Sequence, residues 1–218
     1  GYNDVLWQAQ ELPNTGKEVA VEFTYVSPDG EEGYPGQLTI KVVYSFDNYN
    51  ELKIEYHAST TKATPLNLTN HCYWNLSGVE YGAGAKNSDS ILNHQLELNC
   101  DRFLPVDETL IPTGELQPVA GTPMDFTKPQ VVGSRFDQLP KADPIGYDHC
   151  FLRTGYEGPN GEPQLIARMS EPNSGRVMEI ETTEPAVQFY TGNFLKGGAS
   201  DGQFPQHHGF CLECQHLP

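Results

Sequence analysis

Gln37-Leu-Thr-Ile-Lys-Val-Val-Tyr-Ser-Phe46 alternates along its length. Leu38, Ile40, Val42, Tyr44 and Phe46 fall on one side, and Thr39, Lys41, Val43 and Ser45 on the other. Glu51–Thr60 repeats the pattern, with Leu52, Ile54, Tyr56 and Ala58 set against Glu51, Lys53, Glu55 and His57. A period of two is the mark of a half-buried β-strand. Working outward, Val19–Val26, Thr64–Leu76, His94–Asn99, Gln164–Met169, Arg176–Thr182, Ala186–Tyr190 and Phe210–Gln215 read as further strands. Turn residues separate them at Pro28-Asp29-Gly30, Pro35-Gly36, Asp47-Asn48, Pro159-Asn160-Gly161 and Asn173-Ser174-Gly175. No 3.6-residue apolar stripe stands out. The 21 Gly and 17 Pro argue against any helix longer than about two or three turns. Many short strands at close spacing predict an antiparallel sandwich or barrel. Leu104–Pro123 is Pro-rich and reads as a long ordered excursion, and Gly78–Ser90 as a polar surface loop.

The 218 residues suffice for a sizeable core without disulfides or a structural metal. Thirteen Lys+Arg against 29 Asp+Glu give a net charge of −16. That balance repels phosphate backbones and anionic lipid, so nucleic acid and membrane surfaces are poor partners, whereas a neutral ligand such as a sugar meets no such barrier. The five cysteines are odd in number and irregularly spaced, which predicts reduced thiols and a cytoplasmic setting rather than a disulfide framework. No apolar run approaches a membrane span and no signal segment is present. Both ends nevertheless look cut, since the chain begins at Gly1 in patterned sequence and stops soon after an apolar run.

Four clusters could carry chemistry. In Asn67-Leu-Thr-Asn-His71-Cys-Tyr73-Trp-Asn75, a strand would place His71, Tyr73 and Asn75 on one side. That is either an imidazole acid/base in a polar cleft or a strand end with its polar groups satisfied locally. In Gly146-Tyr-Asp148-His149, neighbouring Asp148 and His149 point to opposite faces, so at most one belongs to a given site; Asp148 is equally a common turn residue. Gln188 and Tyr190 share a face and offer an amide and a phenol to a hydroxylated ligand, or simply form the polar side of a core strand. In His207-His-Gly-Phe-Cys211-Leu-Glu213-Cys214-Gln215, Phe210 and Leu212 point to the core, and Cys211, Glu213 and Gln215 line the opposite face. A carboxylate in so apolar a strand is expensive unless it is used or paired. Zinc held by His207, His208, Cys211 and Cys214 is a rival reading. Against it, cysteines three apart face opposite ways on a strand, and there is a single C-x-x-C. Nucleotide-binding, serine-hydrolase and zinc-protease motifs are missing.

The order of motifs carries the reading further. Gly1-Tyr-Asn-Asp-Val-Leu-Trp7, Ser27-Pro-Asp-Gly-Glu-Glu-Gly-Tyr-Pro-Gly36, Thr64-Pro-Leu-Asn-Leu-Thr-Asn-His71, Phe103-Leu-Pro-Val-Asp-Glu-Thr-Leu-Ile-Pro-Thr-Gly114, Gly146-Tyr-Asp-His149, Gln188-Phe-Tyr-Thr-Gly-Asn-Phe194 and Gly209-Phe-Cys-Leu-Glu213 span nearly the whole chain. Together they resemble the aldose 1-epimerase (galactose mutarotase) family. The resemblance implies an all-β fold, a large antiparallel β-sandwich of the mutarotase-like supersandwich type. It would form one domain over residues 1–218, incomplete at both ends. It implies cofactor-free, metal-free interconversion of the α and β anomers of hexoses such as galactose and glucose. By motif position, Glu213 is the expected general base and His71 the general acid, with Tyr73, Asp148 and Gln188 as sugar contacts. With a sugar between them, His71 and Glu213 should stand roughly 5–8 Å apart. An Arg and a His that help bind sugar in the family, and its last strands, have no counterpart in this chain, and the open sheet edge predicts association of the isolated piece. A hexose-phosphate epimerase and a non-catalytic carbohydrate-binding module on the same scaffold are the rival functions. The first would need Arg or Lys in the cleft.

Overall fold

The computed structural model describes residues 1–14, 16–78, 90–139, 144–158, 161–196 and 204–218. Every named strand pairing is antiparallel, as the period of two predicts. The residues group into two units, Gly1–Leu68 and Thr69–Pro218.

The first unit is a four-stranded meander of β1 (Gln8–Glu11), β2 (Glu18–Ser27), β3 (Leu38–Asp47) and β4 (Leu52–Thr60), in that order. Leu38, Ile40 and Val42 are buried and pack with Tyr2, Trp7, Tyr44, Ile54 and Leu68. The turn after β3 closes because the Asp47 carboxylate accepts the N–H groups of Tyr49 (2.8 Å) and Glu51 (3.0 Å). The alternation breaks at the end of β3. Small Ser45, lying across the ladder from Ala20 and Lys53, is buried, while Phe46 is 46% exposed.

The second unit holds β5 (Gln95–Leu98), β6 (Cys100–Phe103), β7 (Gln117–Pro118), β8 (Gln130–Val131), β9 (Asp148–Arg153), β10 (Gln164–Ser170), β11 (Val177–Thr182), β12 (Ala186–Tyr190) and β13 (Cys211–Gln215). They form two sheets, ordered β11-β10-β5-β8 and β13-β12-β9-β6-β7. Leu96, Leu98, Ile166 and Met169 from the first sheet share one core with Phe151, Val187, Phe189 and Leu212 from the second. Two sheets burying one apolar layer is a sandwich. Each of these large side chains contributes about 1.5–3 kcal/mol on burial.

Among the described residues, helical structure is confined to short 3-10 turns at Glu31–Gly33, Ile91–Asn93 and Val132–Gln138. The Leu104–Pro123 excursion is ordered, with a Val106–Pro112 bridge and the Asp107 carboxylate accepting the N–H groups of Thr109 and Ile111. The expected strand over Thr64–Leu76 is not formed. Trp74 alone bridges, to Phe210. Pro65 lacks a donor, and the segment crosses from one unit to the other at Leu68. Residues 79–89 of the expected surface loop, and 159–160 of one expected turn, lie outside the described residues. All five cysteines are free, and no helix is long and apolar enough to cross a membrane among the described residues.

His149 lies on the core face of β9, its ring edge-on to Phe103 and its Nδ1 accepting the Asp148 N–H at 3.1 Å. Burial pulls its pKa from 6.5 to about 4. The imidazole is therefore neutral when folded and charges readily only when unfolded. Its contribution is whole above pH 6.5 and is lost as the pH falls through about 4, a swing of about 3 kcal/mol. Denaturant unfolding across this range should show the parent losing more stability on acidification than His149→Gln. Equal losses would contradict the assignment.

Candidate active site

Strand register builds this cleft. β12 pairs with both β9 and β13, setting Tyr190 beside Asp148 and Cys211, and Gln188 beside Cys150 and Glu213. Phe151, Val187, Phe189 and Leu212 turn to the core. The alternate positions Asp148, Gln188, Tyr190, Glu213 and Gln215 therefore turn to the other face. There they line a cleft of about 320 Å³ together with His71, Tyr73 and Phe194. All five side chains singled out from the sequence as site residues thus meet in one place.

His71 arrives from the irregular segment after Leu68. Trp74 and Phe210 exchange backbone hydrogen bonds at 2.8 and 2.9 Å, and the Thr69 hydroxyl donates to the Cys214 carbonyl at 2.8 Å. Continuing that antiparallel register along β13 brings residue 71 opposite residue 213. His71 Nδ1 lies 3.1 Å from Glu213 Oε1 and 3.4 Å from Cys211 Sγ. The imidazole stacks on Tyr73 with ring centroids 5.0 Å apart and meets the edge of Tyr190 at 6.2 Å. The 5–8 Å separation expected for a sugar-filled site is not seen. The carboxylate and imidazole close on each other instead, with the His71 side chain 57% exposed and Glu213 buried.

Glu213 is buried, and its Oε1 has no aligned hydrogen-bond donor despite the short approach of His71. Burial raises its pKa, the His71 charge opposes the rise, and the Asp148 carboxylate adds to it. Asp148 is likewise raised by burial, with the Gln188 amide, donating to its Oδ1 at 2.7 Å, and His71 holding it down. Burial also raises the phenols of Tyr73 and Tyr190, so both remain neutral donors. A cleft with an imidazole, two carboxyls, amides and phenols can bind hydroxyls and move protons.

Asp148 is placed by a knot upstream of β9. The Tyr147 N–H donates to the Thr191 hydroxyl at 3.0 Å, and the Asn193 amide donates to the Tyr147 carbonyl at 3.0 Å. Gly146 passes so close that a Cβ would lie 1.9 Å from Asn193 Oδ1. Gly192, at φ +63°, makes the turn after β12, and the Phe194 N–H then donates to the Tyr190 hydroxyl at 2.9 Å.

Tyr190, offered with Gln188 as a phenol for a hydroxylated ligand, and Gln215, placed on the face of Glu213, line the cleft as well. Strand parity was the available signal. Phe194 had none, because it arrives through the Gly192 turn. The four residues of the rival zinc reading, His207, His208, Cys211 and Cys214, form no cluster of ligand atoms among the described residues. Cys214 packs against the core and His207 Nδ1 lies 2.9 Å from the Thr191 carbonyl oxygen. Cys211 instead joins His71 and Glu213, with ligand atoms of all three within 4.8 Å of one another.

The Aldose 1-epimerase family matches residues 1–218, and the chain belongs to it. It is 44% identical over 221 residues to the galactose mutarotase of Sus scrofa, covering 100% of this chain and 59% of that protein. It is 37% identical over 203 residues to the aldose 1-epimerase of Escherichia coli K12, covering 91% of this chain and 55% of that one. The crystal structure of galactose 1-epimerase from Lactobacillus acidophilus superposes with a TM-score of 0.78 at 27% identity, covering 97% of this chain and 58% of the other. The chain thus spans less than two thirds of the length of these relatives.

Gly146→Ala should drive a methyl into Asn193 and Thr191 and cost about 2 kcal/mol or more. The denaturation midpoint measures this, and a midpoint equal to the parent's would refute the close packing.

Proposed function

We propose that the protein interconverts the α and β anomers of hexoses such as galactose and glucose. The observation that carries this reading is the facing of His71 and Glu213, 3.1 Å apart, at one cleft with Asp148 and Gln188. Glu213 takes the proton from the anomeric hydroxyl while His71 protonates the ring oxygen. The C1–O5 bond breaks to give the open aldehyde, and the C1–C2 bond rotates. The ring then closes on the other carbonyl face with both proton transfers reversed. Each group must accept and return a proton. The raised pKa of Glu213 brings it nearer to neutral pH, where such exchange is fastest. Entry of the sugar parts the two side chains, with exposed His71 moving and buried Glu213 staying. Asp148, Gln188 and Tyr73 hold the hydroxyls.

Membership of the aldose 1-epimerase family and the galactose mutarotases among its relatives support the assignment. Two carboxyl groups facing the cleft disfavour a sugar phosphate, which they would repel. A non-catalytic sugar-binding module has no need of an imidazole set against a buried carboxylate.

Polarimetry of freshly dissolved α-D-galactose with the full-length protein should show accelerated equilibration. Glu213→Gln should slow it by about 10²–10⁴-fold. No acceleration by a folded parent would sink the proposal in favour of a binding module or a phosphorylated substrate. The pH profile tests the electrostatics. The Asp148 charge raises the Glu213 pKa, so Asp148→Asn should move the acid limb of the residual activity to lower pH. A limb that stays or rises would contradict that coupling.

A further inference from the structure

We propose that His71, Cys211 and Glu213 form a three-ligand site for zinc or a similar divalent cation, and that the bound metal inhibits by occupying the acid/base pair. The metal site stands on geometry alone. Only its inhibitory consequence rests on the function proposed above.

Zinc favours nitrogen, thiolate and carboxylate ligands in tetrahedral array. With ordinary zinc–ligand bond lengths, the ligand atoms of such an array stand about 3.4–3.6 Å apart. Here His71 Nδ1 is 3.4 Å from Cys211 Sγ and 3.1 Å from Glu213 Oε1, and the three ligand atoms all lie within 4.8 Å of one another. The two distances from His71 Nδ1 lie within a few tenths of an ångström of that array. Cys211 and Glu213 are held on the same face of β13 by its ladder to β12, so two of the three ligands are fixed in advance. His71 closes the third corner from the neighbouring segment.

A second observation points to a ligand. Glu213 Oε1 is buried without an aligned donor, in a residue only 9% exposed. Such an oxygen is costly unless a cation or donor meets it. The charges also fit. A thiolate and a carboxylate neutralise a divalent ion, with Asp148 in the same cleft and a net charge of −16 on the chain. On binding, the Cys211 S–H bond breaks, its proton goes to solvent, and the thiolate donates its electron pair to the metal. The neutral imidazole and the carboxylate donate theirs without redox change. Three protein ligands would leave a fourth coordination position open, as in zinc sites that retain an open position. The metal would tie up His71 and Glu213 together, so sugar and metal exclude each other.

Cobalt(II) reports on thiolate coordination through a charge-transfer band in the near ultraviolet. Full-length protein, reduced and stripped with chelator, should develop this band on cobalt titration and lose it on adding zinc. Cys211→Ser should abolish the band, and Cys214→Ser, with its side chain on the core face, should keep it. If Cys211→Ser fails to fold by circular dichroism, His71→Ala, at an exposed position, provides the reading: cobalt affinity should fall by about tenfold or more. No band in the parent, a band that survives Cys211→Ser, or undiminished affinity in His71→Ala would overturn the site. In polarimetry, zinc should slow the parent, and galactose in excess should weaken cobalt binding. A cobalt band with neither effect would overturn the inhibition and leave the site. Because the band needs no turnover, a parent without epimerase activity would refute the function above but not the metal site.

Discussion

The pairing of the Thr69–Trp74 segment with the open side of β13 is the constraint on which the site depends. Only its ends are tied, at Cys214 and at Phe210. Between them the backbone is free of a ladder, and that stretch carries His71. A full strand there would have locked every side chain into the pleat. The tied ends fix the register, and the loose middle lets an exposed imidazole lie against a buried carboxylate. A slip of one residue would exchange His71 for Cys72 or Asn70 opposite Glu213. Register therefore decides whether the cleft has an imidazole at all.

The same logic runs through β9, β12 and β13. Phe151, Val187, Phe189 and Leu212 anchor one face in the core, and their burial holds the opposite face rigid. That face carries Asp148, Gln188, Tyr190, Cys211 and Glu213 in adjacent rows. Desolvated polar groups on a strand are unfavourable by themselves. Here the core face of the same strands offsets them, so the site inherits the precision of the sandwich. The Gly146 knot adds the last increment, fixing where β9 begins and hence where Asp148 stands.

Much of this was legible in the sequence where one physical signal dominated. The alternation of Leu38, Ile40 and Val42 identified β3, and the Gln188/Tyr190 and Glu213/Gln215 pairs revealed a shared face. β9 was not read as a strand because Cys150, Phe151 and Arg153 are buried alongside His149, and a run buried on both faces has no period of two. The reverse error fell on Thr64–Leu76, where apolar and polar residues alternate but only Trp74 pairs. Alternation records burial on one side and says nothing about whether a neighbour offers hydrogen bonds. Convergence of His71 on Glu213 is a long-range fact, 142 positions apart in the chain numbering, and the pattern of residues could raise it only through family resemblance. The approach of Cys211 to His71 followed from neither.

Electrostatics then bears on what such a cleft can accept. Asp148 and Glu213 each sit where burial disfavours charge, and Asp148 raises the pKa of Glu213 further. Like charges in a partly desolvated space repel an anionic ligand and welcome either a neutral hydroxylated one or a cation. The choice between those two falls to His71. A protonated imidazole neutralises Glu213 and repels a metal ion, which favours the sugar. A neutral imidazole leaves a lone pair at Nδ1 beside a carboxylate and a thiol, which favours the ion. The acid role and the ligand role proposed for His71 thus require opposite protonation states of one ring, so a cleft arranged for the proposed proton transfer would also be open to block by a metal ion.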